Sequence, residues 1–559
     1  MKKLSKLLVV LLAMALVMCG CASDTGDTGA ASGTTSGSST GTTTGTTSGT
    51  TTDTTGTTDA GTADAFTYPM EPITLSINID EVDRESIPDW ALEYYIWDIV
   101  AEKTGVTLER VGASGQGGGN TEDIALMIAS GELPDIFINN WLSYPGGPEA
   151  AIKQNLILKL NDIYTQYAPN YSKVLAENER WAKDTATDDG TYYVFPLLRA
   201  ARDQTFYGFG YRQDKLDEFG LTVPTTPDEL ENVLRVFQQN GAECGLTFEY
   251  RFLFTGEQGY GTDLQSGFGL KSGFYVDEGK VHFGEAEPAY KDFITWINKL
   301  YTEGLIDPDM PSIDKATSLA KFSNGTSWAA LIMSTINVAE PGEINDGWDT
   351  VGGPALATAK GETPQFGHMQ NSYAGNASAA ISTDCENVEA AARYLDWFYG
   401  EDNLATYQHG VEGFAYAIVD GEYTRAMEHL IPIEGEGADQ IKTRMSYSHI
   451  GTNWPMKMLD GMSHDLEMYD SQKQIGEAWR AHNMAEHILP PVTMTQEEAS
   501  EYAMLFTDID TYMREQIAMF IIGTRPMTEF DDFQNTLKQL GVDRVIEIQQ
   551  AAYDRYLAR

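Results

Sequence analysis

The chain has 559 residues, 42% of them hydrophobic and 11% aromatic, which is the composition of a globular protein with a large buried core. Its 82 acidic and 37 basic residues give a formal net charge of −45. That charge argues against a nucleic-acid partner and against adsorption to an anionic membrane surface, because both would repel it. Four cysteines in so long a chain exclude a disulfide-stapled scaffold and a multi-zinc array.

The first 20 residues have the pattern of a signal peptide. Lys2, Lys3 and Lys6 precede an apolar run at residues 7–18, which is too short to span a bilayer comfortably. The run ends at Gly20 and Cys21, a site that resembles a bacterial lipobox and predicts lipidation of Cys21. A plain secretory signal is the alternative. No second membrane-spanning segment is expected, and removal of residues 1–20 would bring the formal charge to −48.

Residues 21–65 are expected to form the lipid anchor and a disordered tether. From residue 23 onward they are almost entirely Thr, Gly, Ser, Ala and Asp, so they contain little to bury. A flexible coil of that length spans roughly 35–40 Å. The tether would hold a folded body on the outer face of a cell membrane.

The start of the folded body alternates predicted strands and helices. Residues 72–80 alternate apolar and polar side chains, and a helical pattern follows until Gly105. Strands are predicted at residues 106–111 and 135–138, with a helix between them. This order predicts a mostly parallel, layered α/β sheet, whose ligands would lie at the carboxyl ends of its strands.

A second unit is predicted to begin near Phe206. Thr226 and Glu229 form the pattern of a helix N-terminus around Pro227. Residues 290–301 have the spacing of a further helix, residues 327–333 that of a buried strand, and the last third of the chain is predicted to be helical. The body contains no tandem repeat.

Several short segments match a known family in order along the chain. They are SGELPDI at 130–136, DGTYYVFP at 189–196, YRQDKLDEFGL at 211–221, PTTPDEL at 224–230, EGLIDPD at 303–309, residues 391–400, HGVEG at 409–413, FIIGTRP at 520–526 and AYDRY at 552–556. In this order they resemble the bacterial extracellular solute-binding proteins, family 1, of carbohydrate ABC transporters, and within them the LipO-like Gram-positive lipoproteins.

The resemblance implies an α/β, two-lobed periplasmic-binding-protein-like fold of type II with hinge crossings and a helical C-terminal region. Lobe 1 would contain residues 66–200 and about 368–410. Lobe 2 would contain residues 201–367 and about 411–559, including the helical region. Crossings between the lobes are expected near residues 193–207, 365–380 and 410–419.

The function implied by the resemblance is capture of a solute, mainly an oligosaccharide, in the cleft between the lobes. The protein would be a monomer without cofactor or metal, anchored outside a Gram-positive cell, and would deliver the solute to ABC transporter permease subunits on separate chains. Two other functions stay open: a surface-anchored glycoside hydrolase or polysaccharide lyase, and the ligand-binding subunit of a sensor. The sequence has no Gly-x-Ser-x-Gly or His-Glu-x-x-His motif.

Sugar recognition predicts which side chains line the cleft. A pyranose needs amides, carboxylates or arginine around its hydroxyl rim and an aromatic ring against its C–H face. The candidate ligand-binding residues are Asn139, Asn140, Trp141, Tyr144, Arg202, Tyr207, Tyr211, Gln370, Asn371, Tyr373, Glu412, Phe414 and Trp454.

Each aromatic candidate could instead pack in the core or the hinge. Trp141 is the preferred stacking platform and Asn140 its polar neighbour, because both follow the third predicted strand. Asp184, Asp188 and Asp189 raise the alternative of a calcium site, although the glycine spacing does not fit an EF-hand.

Overall fold

The structure is a computed structural model that describes residues 66–79, 84–111, 121–253, 261–433, 440–451, 454–459 and 468–559. The predicted signal peptide, Cys21 and the tether lie outside these residues. None of the described helices is both long enough and apolar enough to cross a membrane.

Twelve strands lie within the described residues. They are β1 (Ile73–Ile77), β2 (Val106–Arg110), β3 (Ile136–Asn139), β4 (Phe195–Leu198), β5 (Tyr207–Arg212), β6 (Phe274–Asp277), β7 (Lys280–Phe283), β8 (Ala329–Met333), β9 (Thr350–Gly353), β10 (Tyr373–Ile381), β11 (Ala417–Val419) and β12 (Glu422–Thr424).

The α-helices of the described residues are α1 (Ile96–Thr104), α2 (Thr121–Ser130), α3 (Gly147–Lys153), α4 (Asn161–Tyr167), α5 (Pro169–Glu177), α6 (Glu179–Asp184), α7 (Gln213–Glu218), α8 (Pro227–Gln239), α9 (Thr262–Gln265), α10 (Tyr290–Thr302), α11 (Lys315–Ser323), α12 (Thr335–Ile344), α13 (Val388–Trp397), α14 (Leu404–His409), α15 (Gln440–Ser448), α16 (Ser471–Trp479), α17 (Gln496–Ile521), α18 (Phe530–Gln539) and α19 (Val542–Ala558). A 3-10 helix, Asp89–Tyr94, precedes α1.

Local sequence explains where these elements begin and end. Gly105 ends α1 with a φ of 81°, and a Cβ there would lie 2.2 Å from the carbonyl oxygen of Met70. Only glycine fits both conditions. Pro227 opens α8, and the Thr226 hydroxyl accepts a hydrogen bond from the Glu229 N–H, as the sequence predicts. The Glu229 carboxylate, however, accepts from Thr225.

Lobe 1 is built on a five-stranded sheet in the order β2-β1-β3-β10-β4. β1 is parallel to β2 and β3, while β10 is antiparallel to β3 and β4, so four of the five strands run in one direction. The prediction of a mostly parallel sheet is confirmed. Ile77 and Ile138 on one side of the sheet pack with Leu395 of α13 in one core cluster, and Phe137 belongs to a second cluster.

Lobe 2 has a smaller sheet, β8-β5-β9, in which the central β5 is antiparallel to both neighbours. Its core joins β5 and helices α8 and α10 to the C-terminal helices α17, α18 and α19. The predicted helical last third is therefore part of the lobe 2 core.

The C-terminal helix also touches lobe 1. Its Tyr556 hydroxyl donates to Asp184 at 2.6 Å, while Arg555 and Arg559 form ion pairs with Asp188, each at 2.7 Å. Burial alone would raise the pKa of Asp188, but these hydrogen bonds hold it below its ordinary value. Asp184 and Asp188, two of the three aspartates that raised the alternative of a calcium site, thus have protein partners. The described residues contain no group of three or more His, Cys, Asp or Glu placed to hold a metal ion.

Part of the segment assigned to lobe 2 on the sequence, residues 454–459, packs instead with lobe 1. Trp454, Met456 and Met458 lie in the lobe 1 core, and the N–H of Met458 donates to Leu198, the last residue of β4. Residues near 410–419 accordingly stay with lobe 1 rather than crossing. The sequence pattern does not reveal that this part of the chain returns to lobe 1. Its contacts are with β4 and the Asp89–Tyr94 helix, and both are distant along the chain.

Candidate ligand-binding cleft

Three chain segments lie side by side where the two lobes meet. Residues 199–206 join β4 to β5, and residues 366–372 lead back into β10. The N–H of Arg199 donates to Ser372 O at 2.7 Å, and that of Gln370 to Gln204 O at 2.9 Å. The side-chain amide of Asn371 donates to Leu489 O at 3.1 Å, so the chain around Leu489 is the third segment. We refer to these three segments as the hinge.

Two predicted amides at the hinge side of lobe 1 have buried acceptor atoms. The Asn140 and Asn371 Oδ1 atoms are buried and accept no hydrogen bond from the described residues. A Cβ at Gly375 would lie 2.7 Å from Asn140 Oδ1, so β10 passes close to this amide. Asn139 is the last residue of β3 and pairs with Ser378. Amide groups therefore lie near this end of the lobe 1 sheet, and their contact with a ligand stays a prediction.

The predicted stacking residue Trp141 is fully buried. It lies at 0% exposure in a lobe 1 core cluster, with its ring centroid 5.6 Å from that of Phe137. Its indole N–H has no hydrogen-bond partner among the described residues. Tyr144 lies 6.0 Å from Trp141, and its hydroxyl donates to Gln154. The Trp141 ring contacts protein in this conformation, so its contact with a ligand stays a prediction.

Most other predicted aromatics are buried as well. Tyr207 and Tyr211, both on β5, are 1% and 0% exposed. Tyr207 stacks on His368 with ring centroids 5.4 Å apart. Trp454 is 0% exposed in the lobe 1 core, 5.0 Å from Trp97.

The remaining predicted residues divide between the hinge and lobe 1. Gln370 is buried in the hinge, and Tyr373 opens β10 and accepts a hydrogen bond from the Ser378 hydroxyl. Arg202 lies in the first crossing; its side chain is outside the described part of the structure. Glu412 is exposed. The structure thus brings Asn140, Gln370 and Asn371 to the hinge and leaves Glu412 and Phe414 in lobe 1.

Phe414 belongs to an aromatic group that also contains residues of the Asp89–Tyr94 helix. Its ring stacks on Tyr94 at 3.8 Å with an interplanar angle of 7°. Trp90 lies 6.3 Å from Phe414 and 6.2 Å from Tyr447. Phe414 is buried, whereas Trp90 is 40% exposed, the only aromatic among the exposed large hydrophobic residues described. We call Trp90, Tyr94, Phe414 and Tyr447 the aromatic platform.

A buried arginine fixes this platform in place. Arg444, 1% exposed, donates to Phe414 O at 2.9 Å and to Ile431 O at 2.8 Å. Its guanidinium carbon is 5.1 Å from the Phe414 ring centroid. The Asp89–Tyr94 helix lies in the connection from the carboxyl end of β1 to the start of α1. Connections of this kind border the ligand-binding edge of α/β sheets.

Beside the platform, a second group combines positive charge with tyrosines. His409 lies 4.8 Å from Tyr423 and 5.6 Å from Tyr416, measured between ring centroids. Arg425 and His449 lie close enough to His409 to lower its pKa electrostatically, although burial contributes more. We call His409, Arg425 and His449 the cationic cluster.

Comparison with known proteins identifies the family. The family model described as "Bacterial extracellular solute-binding protein" matches residues 85–405, more than half of the chain. This chain belongs to the bacterial extracellular solute-binding proteins. The family assignment and the two-lobed fold expected from the sequence are confirmed.

Individual relatives of this solute-binding protein share modest sequence identity. The fructooligosaccharide ABC transporter substrate-binding protein FusA of Streptococcus pneumoniae is 25% identical over 462 residues, covering 78% of this chain and 82% of FusA. Lipoprotein LipO of Bacillus subtilis is 23% identical, covering 76% of this chain and 82% of LipO. A solved HMO-binding, ABC-transporter-associated solute-binding protein of Bifidobacterium longum infantis has a TM-score of 0.68 at 18% identity, covering 87% and 99% of the two chains.

Sequence reasoning missed the exposed Trp90 ring and the cationic cluster. Trp90 and Tyr94 are four residues apart, a spacing that places both on one side of a helical turn, but the next residues carried the stronger core pattern. Arg425 and His449 are 24 residues apart, and no sequence spacing indicates that they meet. The packing of Gly410 against Ser448 brings His409 and His449 together, and Arg425 follows the β11–β12 hairpin.

Proposed function

We propose that this solute-binding protein is the membrane-anchored receptor of an ABC transporter and that its solute is an oligosaccharide. The observation that carries the proposal is the hinge: three hydrogen-bonded segments connecting two sheet-based lobes. FusA, whose printed name describes a fructooligosaccharide substrate-binding protein, supports the carbohydrate class. Delivery to permease subunits on separate chains follows from the same likeness.

Recognition of the sugar would use two kinds of group on lobe 1. The Asn140 and Asn371 Oδ1 atoms have free acceptor capacity and would accept hydrogen bonds from ring hydroxyls. The exposed ring of Trp90 would cover the C–H face of a sugar unit, as aromatic rings do in apolar contacts with amphipathic ligands. Glu412, exposed beside Phe414, would accept further hydroxyl hydrogen bonds.

Binding would close the lobes. A ligand shifts an open–closed equilibrium only through contacts that differ between the two states. A sugar bound at the lobe 1 edge gains contacts with lobe 2 only when the hinge bends. Hinge residues absorb that motion through small backbone changes in a few segments.

The test is a calorimetric titration of the mature chain against a panel of neutral and acidic oligosaccharides, followed by chromatography of the saccharide. The proposal predicts 1:1 binding and recovery of the saccharide intact. Cleavage would instead support the glycoside hydrolase or polysaccharide lyase alternative. Failure of every saccharide to bind would contradict a carbohydrate receptor.

The membrane anchor is a separate part of the proposal. Cys21 would carry the lipid that holds the body outside the cell, after cleavage behind Gly20. In a Gram-positive host, Cys21→Ala should release the protein from the membrane fraction into the medium. Cys19→Ala is the matched control and should leave the protein in the membrane. Retention of the Cys21→Ala variant would contradict lipid anchoring.

A further inference from the structure

The cationic cluster is assembled by close packing of two helix ends. Gly410, with a φ of 94°, follows His409, and a Cβ there would lie 2.2 Å from the carbonyl oxygen of Ser448. His409 and His449 are therefore brought together by the contact between their chain neighbours. The β11–β12 hairpin adds Tyr423, and Arg425 follows this hairpin.

The cluster has polar atoms that the described residues do not satisfy. The Arg425 Nε, His409 Nδ1 and His449 Nδ1 atoms are buried without a hydrogen-bond partner in the described part of the chain. No described carboxylate forms an ion pair with Arg425, although the protein has 82 acidic residues. The residue as a whole is partly exposed, so a ligand can reach it.

A buried guanidinium without a counter-charge among the described residues is energetically costly. Arginine cannot lose its proton in a protein, so it keeps its charge even where burial lowers its pKa to about 10. Burial also lowers the pKa values of His409 and His449 to about 3, so both rings are neutral at physiological pH. The cluster thus contains one fixed positive charge beside two neutral imidazoles with unused ring nitrogens.

The cluster lies at the cleft edge of lobe 1. Gln408, the neighbour of His409, donates to Lys457 O and accepts from the Leu459 N–H. The backbone of Lys457 forms a parallel β-bridge with Leu198, the last residue of β4, which directly precedes the hinge. Phe414 of the aromatic platform is only two residues from Tyr416, which contacts His409. The cluster and the platform are therefore neighbours within lobe 1.

We propose that the cationic cluster binds an oxyanion of the captured saccharide, so that the solute contains an acidic sugar unit. This proposal rests on the proposed function. The planar guanidinium of Arg425 would hold the anion through two parallel N–H donors, the geometry that arginine offers to carboxylates and other oxyanions. The carboxylate of a uronic acid and a sulfate ester share this chemistry. With the Trp90 ring beside it, the site would bind the apolar face and the charged substituent of a glycan together.

The experiment compares saccharides that differ only in their charge. Uronic-acid trisaccharides of several sugar types are titrated into the mature chain, each beside the same trisaccharide with its carboxyl groups reduced to alcohols and a sulfated form of that neutral sugar. At least one charged form should bind roughly 10- to 100-fold more tightly than its neutral counterpart, the range for a hydrogen-bonded charge. Whether the uronic-acid or the sulfated form binds more tightly shows whether the bound anion is a carboxylate or a sulfate.

Two arginine variants locate the effect. Arg425→Met should abolish the preference for the charged form. Arg425→Lys should retain part of it, because a lysine keeps the positive charge but lacks the two parallel N–H donors of a guanidinium. Arg544→Met is the matched control, since Arg544 is an exposed cation paired with Glu501 in the C-terminal helices. It should leave the preference unchanged.

Melting temperatures separate this role from a structural one. Removing an unpaired buried charge should leave the melting temperature of Arg425→Met unchanged or higher. A melting temperature several degrees lower would reveal a structural partner and overturn the proposal. Equal binding of neutral and charged forms, or a preference that persists in Arg425→Met, would also overturn it. If no saccharide binds at all, the proposed function itself fails.

Discussion

Arg212 in lobe 2 and Arg425 in lobe 1 differ in whether a described carboxylate pairs with them. In lobe 2, Arg212 is 4% exposed, donates to both carboxylate oxygens of Asp214 at 2.7 and 2.6 Å, and lies 3.5 Å from the centroid of Trp348. In lobe 1, Arg425 has no such partner among the described residues.

The aromatic side chains repeat this difference. The β5 rings Tyr207, Phe209 and Tyr211 of lobe 2 are all at most 1% exposed, whereas Trp90 of lobe 1 is 40% exposed. Among the described residues, Arg212 of lobe 2 is thus paired and the β5 rings are covered, whereas Trp90 and Arg425 of lobe 1 stay accessible. We infer that lobe 1 makes the first contacts with the solute and that lobe 2 closes over them.

The largest expected effect comes from the buried tryptophans of lobe 1. Trp454→Ala should lower the free energy of unfolding by about 3–5 kcal/mol, because it removes a fully buried ring from the core. Trp141→Ala should do the same. Denaturant unfolding measures both, with Trp90→Ala as the exposed counterpart, expected to stay within about 1 kcal/mol of the wild type. A stable Trp141→Ala variant that loses binding would restore Trp141 as the stacking platform.

These tryptophans show where sequence reasoning about the site reached its limit. The strand positions, the parallel order and the helix end at Gly105 follow from local patterns and are confirmed by the structure. Burial of Trp141 depends on core residues distant in sequence, such as Tyr193, Tyr373 and Ala380, which no local pattern reveals. Asn140 was predicted because it follows a predicted strand end, and Asn371 because the family resemblance implies a crossing there; their contact with a ligand stays a prediction. Arg425 was not found, because its surroundings come from three separate segments.

The arginine comparison gives the next largest effect. Asp214→Asn should destabilise the protein by about 3 kcal/mol, because it leaves the buried charge of Arg212 without a counter-charge. Arg425→Met should not be destabilising. Thermal and denaturant unfolding of the two variants side by side test the contrast. Similar losses in both would show that lobe 1 satisfies its arginine as lobe 2 does.

The exposed ring should affect affinity rather than stability. Trp90→Ala should weaken saccharide binding by about 2 kcal/mol, roughly 30-fold, as for aromatic residues at the centre of a binding site. Trp348→Ala is the control, because this half-buried tryptophan lies against Arg212 in lobe 2. Calorimetric titration measures both variants. An unchanged affinity in Trp90→Ala would remove the aromatic platform from the binding site.

Buried carboxyl groups in both lobes predict a common pH dependence. Burial raises the pKa of Asp396 in lobe 1 to about 7, and it does the same for Asp263 and Glu285 in lobe 2. Because the folded pKa of each group exceeds its unfolded value of about 4, its contribution to stability is full below pH ~4 and is lost as pH rises through 7.

Calorimetric melting at pH 5.5 and 7.5 tests this dependence. Over this interval each of the three carboxyl groups should lower the stability by about 1–2 kcal/mol as pH rises. The buried histidines act in the opposite direction, because burial lowers their pKa values. The test is therefore the comparison with variants: Asp396→Asn and Asp263→Asn should each make the change from pH 5.5 to 7.5 more favourable to the folded state than in the wild type. A variant with the same pH dependence as the wild type would contradict the assignment of its group.

Small-angle X-ray scattering of the mature chain, with and without a bound saccharide, tests the central claim most directly. The claim is that a solute held at the lobe 1 edge draws lobe 2 over it through the three hinge segments. The radius of gyration should decrease when the saccharide binds, and the decrease should be absent with a saccharide that calorimetry shows not to bind. Tight binding with an unchanged radius of gyration would contradict closure of the lobes around the solute.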